Sequence, residues 1–193
     1  MAKLKNKKRN GLGNGLIPFI DFISKTDQEK IKIAKNLLYP LIKLLNIGLK
    51  YVAKKKTPYQ YAVSQMVRRA LHTTDQKHEF SIDLHEIIFS RGSLPNAQVE
   101  AVTFHDHMCE ILMSDNSGEG DARPDDISMV LFLNFTKQEI AYYLQGFTRS
   151  TASCPYELPE RWTGDTINVF IAMYSADKKL VSDLEYLGEY ISQ

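Results

Sequence analysis

Cysteine is scarce in this chain. The 193 residues hold two, Cys109 and Cys154, too few for a disulfide framework, and a chain of this length can bury enough core to fold without one. The expectation is two small, half-buried thiols; a single bridge between them stays open. Long apolar runs are also missing. Lys35 and Lys43 interrupt the longest candidate, so no membrane-spanning helix is expected. Residues 16–23 are apolar but broken by Pro18 and Asp21. No small-residue cleavage site follows them, so no signal peptide is expected. The chain shows no internal repeat and no low-complexity tract. A soluble protein is expected, either cytoplasmic or incorporated in a particle.

Acidic residues are nearly absent from the first third. Residues 1–70 hold 16 Lys/Arg against 3 Asp/Glu, and residues 71–193 hold 8 against 20, a net +13 and −12 hidden in an overall charge of +1. Such asymmetry marks an interaction surface facing nucleic acid, an anionic membrane or an acidic protein. The acidic half of another copy is one such protein. Solvated lysine-rich helix faces are the plainer account.

Catalytic signatures are missing as well. Ser93 and Ser117 sit in turns, with no Gly-x-Ser-x-Gly elbow. Asp125 and Asp126 are adjacent and would diverge on extended backbone, which does not suit acid–base work. Gly11-x-Gly13-x-Gly15 follows no strand and precedes no Lys-Ser/Thr, so it is no phosphate loop. No enzyme is expected.

Two patterns are present, in succession. Residues 1–25 read as a basic arm carrying Lys3, Lys5, Lys7, Lys8 and Arg9. Thr26-Asp27-Gln28-Glu29 fits a capping box. Apolar residues then recur at helical spacing from Ile31 to Val52, with a kink at Pro40, a weak point at Gly48 and Lys54-Lys55-Lys56 in the last turn. Thr57-Pro58 starts a second helix, ending near Leu71. The two helices are expected to pair as a hairpin or to fold back on the C-terminal part of the chain. The helical segment covers residues 26–75.

From Phe80 the period becomes two. Strands are expected over residues 80–89, 99–104, 108–114, 127–135, 139–144, 154–158, 166–174 and 184–191. Turn signals such as Asn116-Ser117-Gly118, Arg123-Pro124-Asp125 and Thr163-Gly164-Asp165 separate them. Seven or eight short strands at this spacing predict an immunoglobulin- or fibronectin-like antiparallel sandwich over residues 79–193, with Trp162 anchoring its core. The fold class is α+β.

Several segments resemble a known family. Leu44-Leu45-Asn46-Ile47-Gly48-Leu49-Lys50 and Lys55-Lys56-Thr57-Pro58 are similar to the helical part of an uncharacterised bacterial family of unknown function. Ser90-Arg91-Gly92-Ser93-Leu94-Pro95, Asp115-Asn116-Ser117-Gly118, Gly164-Asp165, Ser175-Ala176-Asp177 and Tyr186-Leu187-Gly188 come after them in the same order. The resemblance spans residues 31–189. It implies a helical segment joined to an immunoglobulin-like sandwich, and it implies no catalytic residue. Family members carry a longer glycine-rich start with a Trp-Lys-Gly element. This chain has only the short arm with Gly11, Gly13 and Gly15.

Two loops offer metal ligands. On an extended strand His105, His107 and Cys109 would point one way, a set that suits Zn²⁺. A hairpin tip in water with Cys109 packed is the expected reading. Asp115, Glu119 and Asp121 lie in a stretch that partly matches a calcium loop, with Gly120 at position 6 and Asp126 at position 12. Pro124 and the missing bidentate Glu count against it. No metal and no cofactor is assigned. The function expected is that of a non-enzymatic structural or interaction protein, a subunit of a larger assembly such as a phage or other particle. Its contacts are assigned to Lys3, Lys5, Lys7, Lys8, Arg9, Lys54, Lys55 and Lys56. The partners expected are other copies or other subunits. The alternative is a nucleic-acid or anionic-surface module using the same arm.

Overall fold

The structure is a computed structural model, and it describes residues 27–73 and 80–192. The basic arm, its glycines and the Thr26 cap lie outside the described residues. The fold is α+β, with antiparallel sheets.

Helix α1 (Asp27–Leu38) carries Asp27 and Glu29 in its first turn and Lys35 in its last, the arrangement the helix dipole favours. Ala34, Leu37 and Leu38 are its buried face. Pro40 has no N–H to continue the ladder, and Tyr39–Leu41 tighten into a 3-10 turn. Helix α2 (Ile42–Gly48) comes next.

It stops at Gly48, short of the expected last turn at Lys54-Lys55-Lys56. The reason is packing. Gly48 lies against the backbone of Phe89 and Ser90, and its carbonyl accepts from Arg91 N at 2.9 Å. Lys54, Lys55 and Lys56 therefore stand in an exposed turn beyond the helix rather than in its last turn. Lys54 has φ 48°.

Helix α3 (Pro58–Gln65) starts as the Thr57-Pro58 signal predicts. Gln60 completes a capping box with Thr57, with hydrogen bonds of 3.1 Å in both directions. A π-helical turn, Met66–Ala70, ends the segment.

Strands β1 (Leu71–Thr73) and β2 (Phe80–Ile82) form a separate two-stranded ladder. The strand expected over residues 80–89 is thus only three residues long. Asp83 caps a 3-10 turn, Leu84–Glu86, and an irregular stretch leads on to residue 97. Its polar groups are paired with helix α2 and with residues 181–185 instead of a sheet neighbour. Leu184 N donates to Ser90 O at 3.1 Å, and Ser90 Oγ to Ser182 O at 2.7 Å. Ile87 and Phe89, within this stretch, are buried.

Seven strands remain: β3 (Gln98–His105), β4 (Met108–Ser114), β5 (Ile127–Asn134), β6 (Glu139–Tyr143), β7 (Ser153–Glu157), β8 (Thr166–Tyr174) and β9 (Glu185–Ile191). One sheet has the order β3-β4-β7, the other β6-β5-β8-β9. They share an apolar cluster that includes Phe104, Ile111, Val130, Phe132, Tyr156, Trp162 and Val169. Trp162 is fully buried there, and its indole N–H donates to Glu139 Oε2 at 2.6 Å.

The four-stranded sheet is covered on its other face too. Met129, Leu131, Leu133, Phe170, Ala172 and Tyr174 belong to a second cluster with Leu37, Leu41, Leu45, Met66 and Phe89. Strands β5 and β8 are consequently buried along almost their whole length. A strand covered on both faces reads as a continuous apolar run, and that is how residues 129–133 and 169–174 read. The helical segment therefore forms a third layer. No helix among the described residues is long and apolar enough to cross a membrane.

Candidate functional site

The polar residues concentrate where the loops β4–β5, β6–β7 and β8–β9 meet the irregular stretch before β3. At their centre is Arg149, only 1% exposed. Its Nε donates to Asp126 Oδ2 at 3.1 Å, and the pair is buried on both sides. Nη1 donates to Asn96 O at 2.8 Å and to Asn116 Oδ1 at 2.6 Å, and Nη2 to Pro95 O at 2.8 Å. A planar fork of donors is what such a set of acceptors needs. Two segments of the family resemblance are joined here. The loop after Ser90 supplies two carbonyls, and Asn116 supplies the amide oxygen.

The acidic loop is organised from within. Asp115 Oδ1 accepts from Ser117 N at 2.9 Å. Hydrogen bonds from Ser117 hold the Asp115 carboxyl below the ordinary range, and the Arg149 charge adds to this. Asn116 Nδ2 donates to Glu119 Oε2 at 3.1 Å. Asp126, position 12 of the calcium-loop reading, faces Arg149 and the Arg123 N–H rather than the loop interior. Asp115, Glu119 and Asp121 are exposed and are not gathered around a common point. Asp125 is exposed while Asp126 is buried, so the two carboxylates diverge.

The zinc reading fares no better. Asp106 and His107 form a two-residue turn, with Asp106 at φ 53°. His105 is exposed, while Cys109 pairs with Phe104 in the ladder and is fully buried. The turn reverses the chain between His105 and Cys109, so the single-strand geometry that would align them does not arise. Among the described residues no three His, Cys, Asp or Glu side chains are grouped to hold a metal.

Both cysteines are free thiols. Across the β4–β7 ladder Cys109 faces Tyr156 and Cys154 faces Ile111, so they are not opposite one another. Burial, reinforced by the nearby Glu110 charge, pushes the Cys109 thiol up to about 12 and that of Cys154 to about 11.

An open cleft of about 370 Å³ lies between the acidic loop and the β8–β9 turn. Asp121, Arg123, Asp125, Asp177 and Lys179 line it. The turn is stitched by Asp177, whose Oδ1 accepts from Ser175 Oγ at 2.7 Å and Lys179 N at 3.0 Å. These hydrogen bonds, with the Lys179 charge, hold the Asp177 carboxyl down to about 2.

Of the basic residues expected to bind a partner, Lys54, Lys55 and Lys56 are described. All three are exposed, and Lys56 Nζ donates to Ser64 Oγ at 3.3 Å. Lys3, Lys5, Lys7, Lys8 and Arg9 lie outside the described residues. Beside the lysine turn, Lys50 Nζ stands 5.0 Å from the ring of Tyr51, which is 50% exposed. Arg149 went unnoticed in the sequence because its partners are 23 to 54 residues away along the chain. A lone Arg in a Ser/Thr-rich turn carries no local signal.

No curated protein and no solved structure matches the chain. A family model does match, over residues 24–188. That span takes in the three helices and every strand through β8, together with the start of β9. It agrees with the resemblance read over residues 31–189, and the chain belongs to DUF6266, a family of unknown function.

Proposed function

We propose that the protein is a non-enzymatic interaction protein, a subunit of a larger assembly whose copies meet through surfaces of opposite charge. One observation carries this reading: charge is segregated by layer. The helical layer, residues 27–70, holds 10 Lys/Arg against 2 Asp/Glu. The chain from residue 71 onward is acidic, and Glu119, Asp121 and Asp125 stand exposed at its loop end. Basic-to-acidic contact between copies is heterologous, and such contacts build rings or filaments. In this reading the arm residues Lys3, Lys5, Lys7, Lys8 and Arg9, with Lys54, Lys55 and Lys56, dock on the acidic loops of a neighbour. A phage or other particle is a setting that fits.

We read the two facing sheets as an immunoglobulin- or fibronectin-type sandwich. The first, second and fifth of the seven strands share one sheet, and the third, fourth, sixth and seventh share the other. That is the seven-strand immunoglobulin order with its fourth strand moved to the edge of the second sheet. In variable domains of this architecture the corresponding second–third and sixth–seventh strand loops bind antigen. The cleft lined by the β4–β5 and β8–β9 loops supports binding at this end, by analogy of fold.

The test is the native mass of the full chain at low and high salt, across a range of concentrations. Assemblies that dissociate as salt screens the charges support the reading. A monomer under every condition overturns it. A second reading, an anionic-surface or nucleic-acid module, is favoured by the exposed Lys50, Tyr51 and Lys54–Lys56 cluster. It predicts polyanion binding that weakens steeply with salt and falls when residues 1–15 are removed. Absence of polyanion binding by the full chain rules it out.

A further inference from the structure

The helical layer has an apolar groove that none of the described residues covers. It is lined by Ile31 and Lys35 of α1, Tyr59, Val63 and Ser64 of α3, and Val67 of the π-helical turn, with Arg68 at its rim. Its volume of about 300 Å³ is far more than the roughly 30 Å³ share of one water. The groove is preformed: Tyr59 Oη donates to Lys35 O at 3.2 Å across it, and Arg68 Nε donates to Ser64 O at 3.1 Å. Ile31 is 37% exposed in its wall.

We propose that this groove is the docking site of the chain's own apolar segment, residues 16–23, with Asp21 at the basic rim formed by Lys35 and Arg68. Three observations carry the assignment. The segment supplies Leu16, Ile17, Phe19, Ile20, Phe22 and Ile23 with a single charge, Asp21. That charge is opposite in sign to the two at the rim. The tether also reaches: the four residues from Ile23 to Asp27 extend at most about 14 Å. Ile31 and Lys35 lie about 6 and 12 Å along α1 from its first residue. A tether this short sets a local concentration in the millimolar range, which favours the chain's own segment over that of a second copy at micromolar protein. Docking would root the basic arm on the helical layer. Such a contact lies within one chain and does not depend on the assembly reading.

The test is disulfide trapping in the full chain. Pro18→Cys leaves Asp21 and the six apolar residues intact, and Ser64→Cys places a thiol on the groove wall. The native Cys109 and Cys154 are both 0% exposed and compete little. The control pair is Pro18→Cys with Glu100→Cys, Glu100 being exposed on β3 in the far sheet. Under mild oxidation the groove pair is expected to close within one chain at least tenfold faster than the control, at a rate independent of dilution. Adding Ile31→Glu is expected to bring the rate down to that of the control. Equal rates for the two pairs, a rate indifferent to Ile31→Glu, or disulfides formed only between chains would each overturn the proposal. The last outcome would assign the groove to a second copy.

Discussion

Gly48 and Phe89 are in backbone contact: a Cβ on Gly48 would stand 2.3 Å from the Phe89 carbonyl oxygen. The atom in the way is backbone, so no rotamer change relieves it. In an exposed helix interior, replacing Gly by Ala stabilises by about 1 kcal/mol. Here the sign reverses. Gly48→Ala must push helix α2 off the stretch between Phe89 and Arg91, which the Arg91 N–H anchors to the Gly48 carbonyl. Overpacking of this kind costs about 1–3 kcal/mol. The expected result is a lower urea midpoint for Gly48→Ala, with the slope of the transition unchanged. A stabilised variant would show that the two segments are not in contact.

Arg149 makes a different demand, because its charge is buried. Removing one partner of a buried ion pair costs about 3–5 kcal/mol. Arg149→Ala is expected to lose stability on that scale, since Asp126 and the carbonyls of Pro95 and Asn96 all lose a donor. Arg149→Lys keeps the charge but not the fork, and cannot reach acceptors spread over four sites. It is expected to recover only a minor part of the loss. Equilibrium unfolding of the three proteins tests this, and full recovery by Lys would mean that charge alone matters.

Asp177 gives the fold an acid-sensitive element. Its carboxyl is held down to about 2 from an ordinary 3.8 by hydrogen bonds from Ser175 and Lys179. A carboxyl depressed in the folded state contributes stability that is complete above its unfolded value. That contribution disappears as pH falls through the folded value. The window therefore runs from about pH 4 down to about pH 2. The wild-type protein is expected to melt above Asp177→Asn at neutral pH, with the gap closing across that window. Thermal melts of both proteins from pH 7 to pH 2 check it, and a constant gap would assign the difference to something other than the carboxylate.

What the sequence disclosed depended on how local its cause was. Thr57-Pro58 predicted the start of α3 because a cap and a ring-fixed φ act over a few residues. Pro40 predicted the break after α1 for the same reason. The seven main strands were legible from apolar period and turn residues. The end of α2 was not, because it is set by Phe89, 41 residues from Gly48. Residues 80–89 alternate like a strand, yet the ladder to β1 ends at Ile82, where Asp83 caps a 3-10 turn. The candidate ligands failed for a related reason. His105 and Cys109 share a face only if the chain runs straight, and a turn at Asp106 and His107 reverses it. Arg149, the residue that ties the loop end together, was invisible because every side-chain partner is distant in sequence.

The burial of the cysteines has a chemical consequence. Cys109 and Cys154 are both inaccessible, and their thiols are pushed up to about 12 and about 11. The thiolate is the reactive form, so both are doubly protected at pH 8, by access and by protonation. Neither faces the other across the β4–β7 ladder, so oxidation has no native disulfide to form. The expected outcome is that an aromatic disulfide reagent labels the native protein only at the rate of global unfolding, and titrates two thiols rapidly in guanidinium. Raising native pH from 7 to 9 should speed labelling only as far as it destabilises the fold. Zinc added in modest excess should neither slow the labelling nor raise the melting temperature, because Cys109 points into the core and His105 into water. Rapid labelling of one native thiol would place that residue at a surface, and zinc protection of Cys109 would restore the ligand set that the hairpin separates.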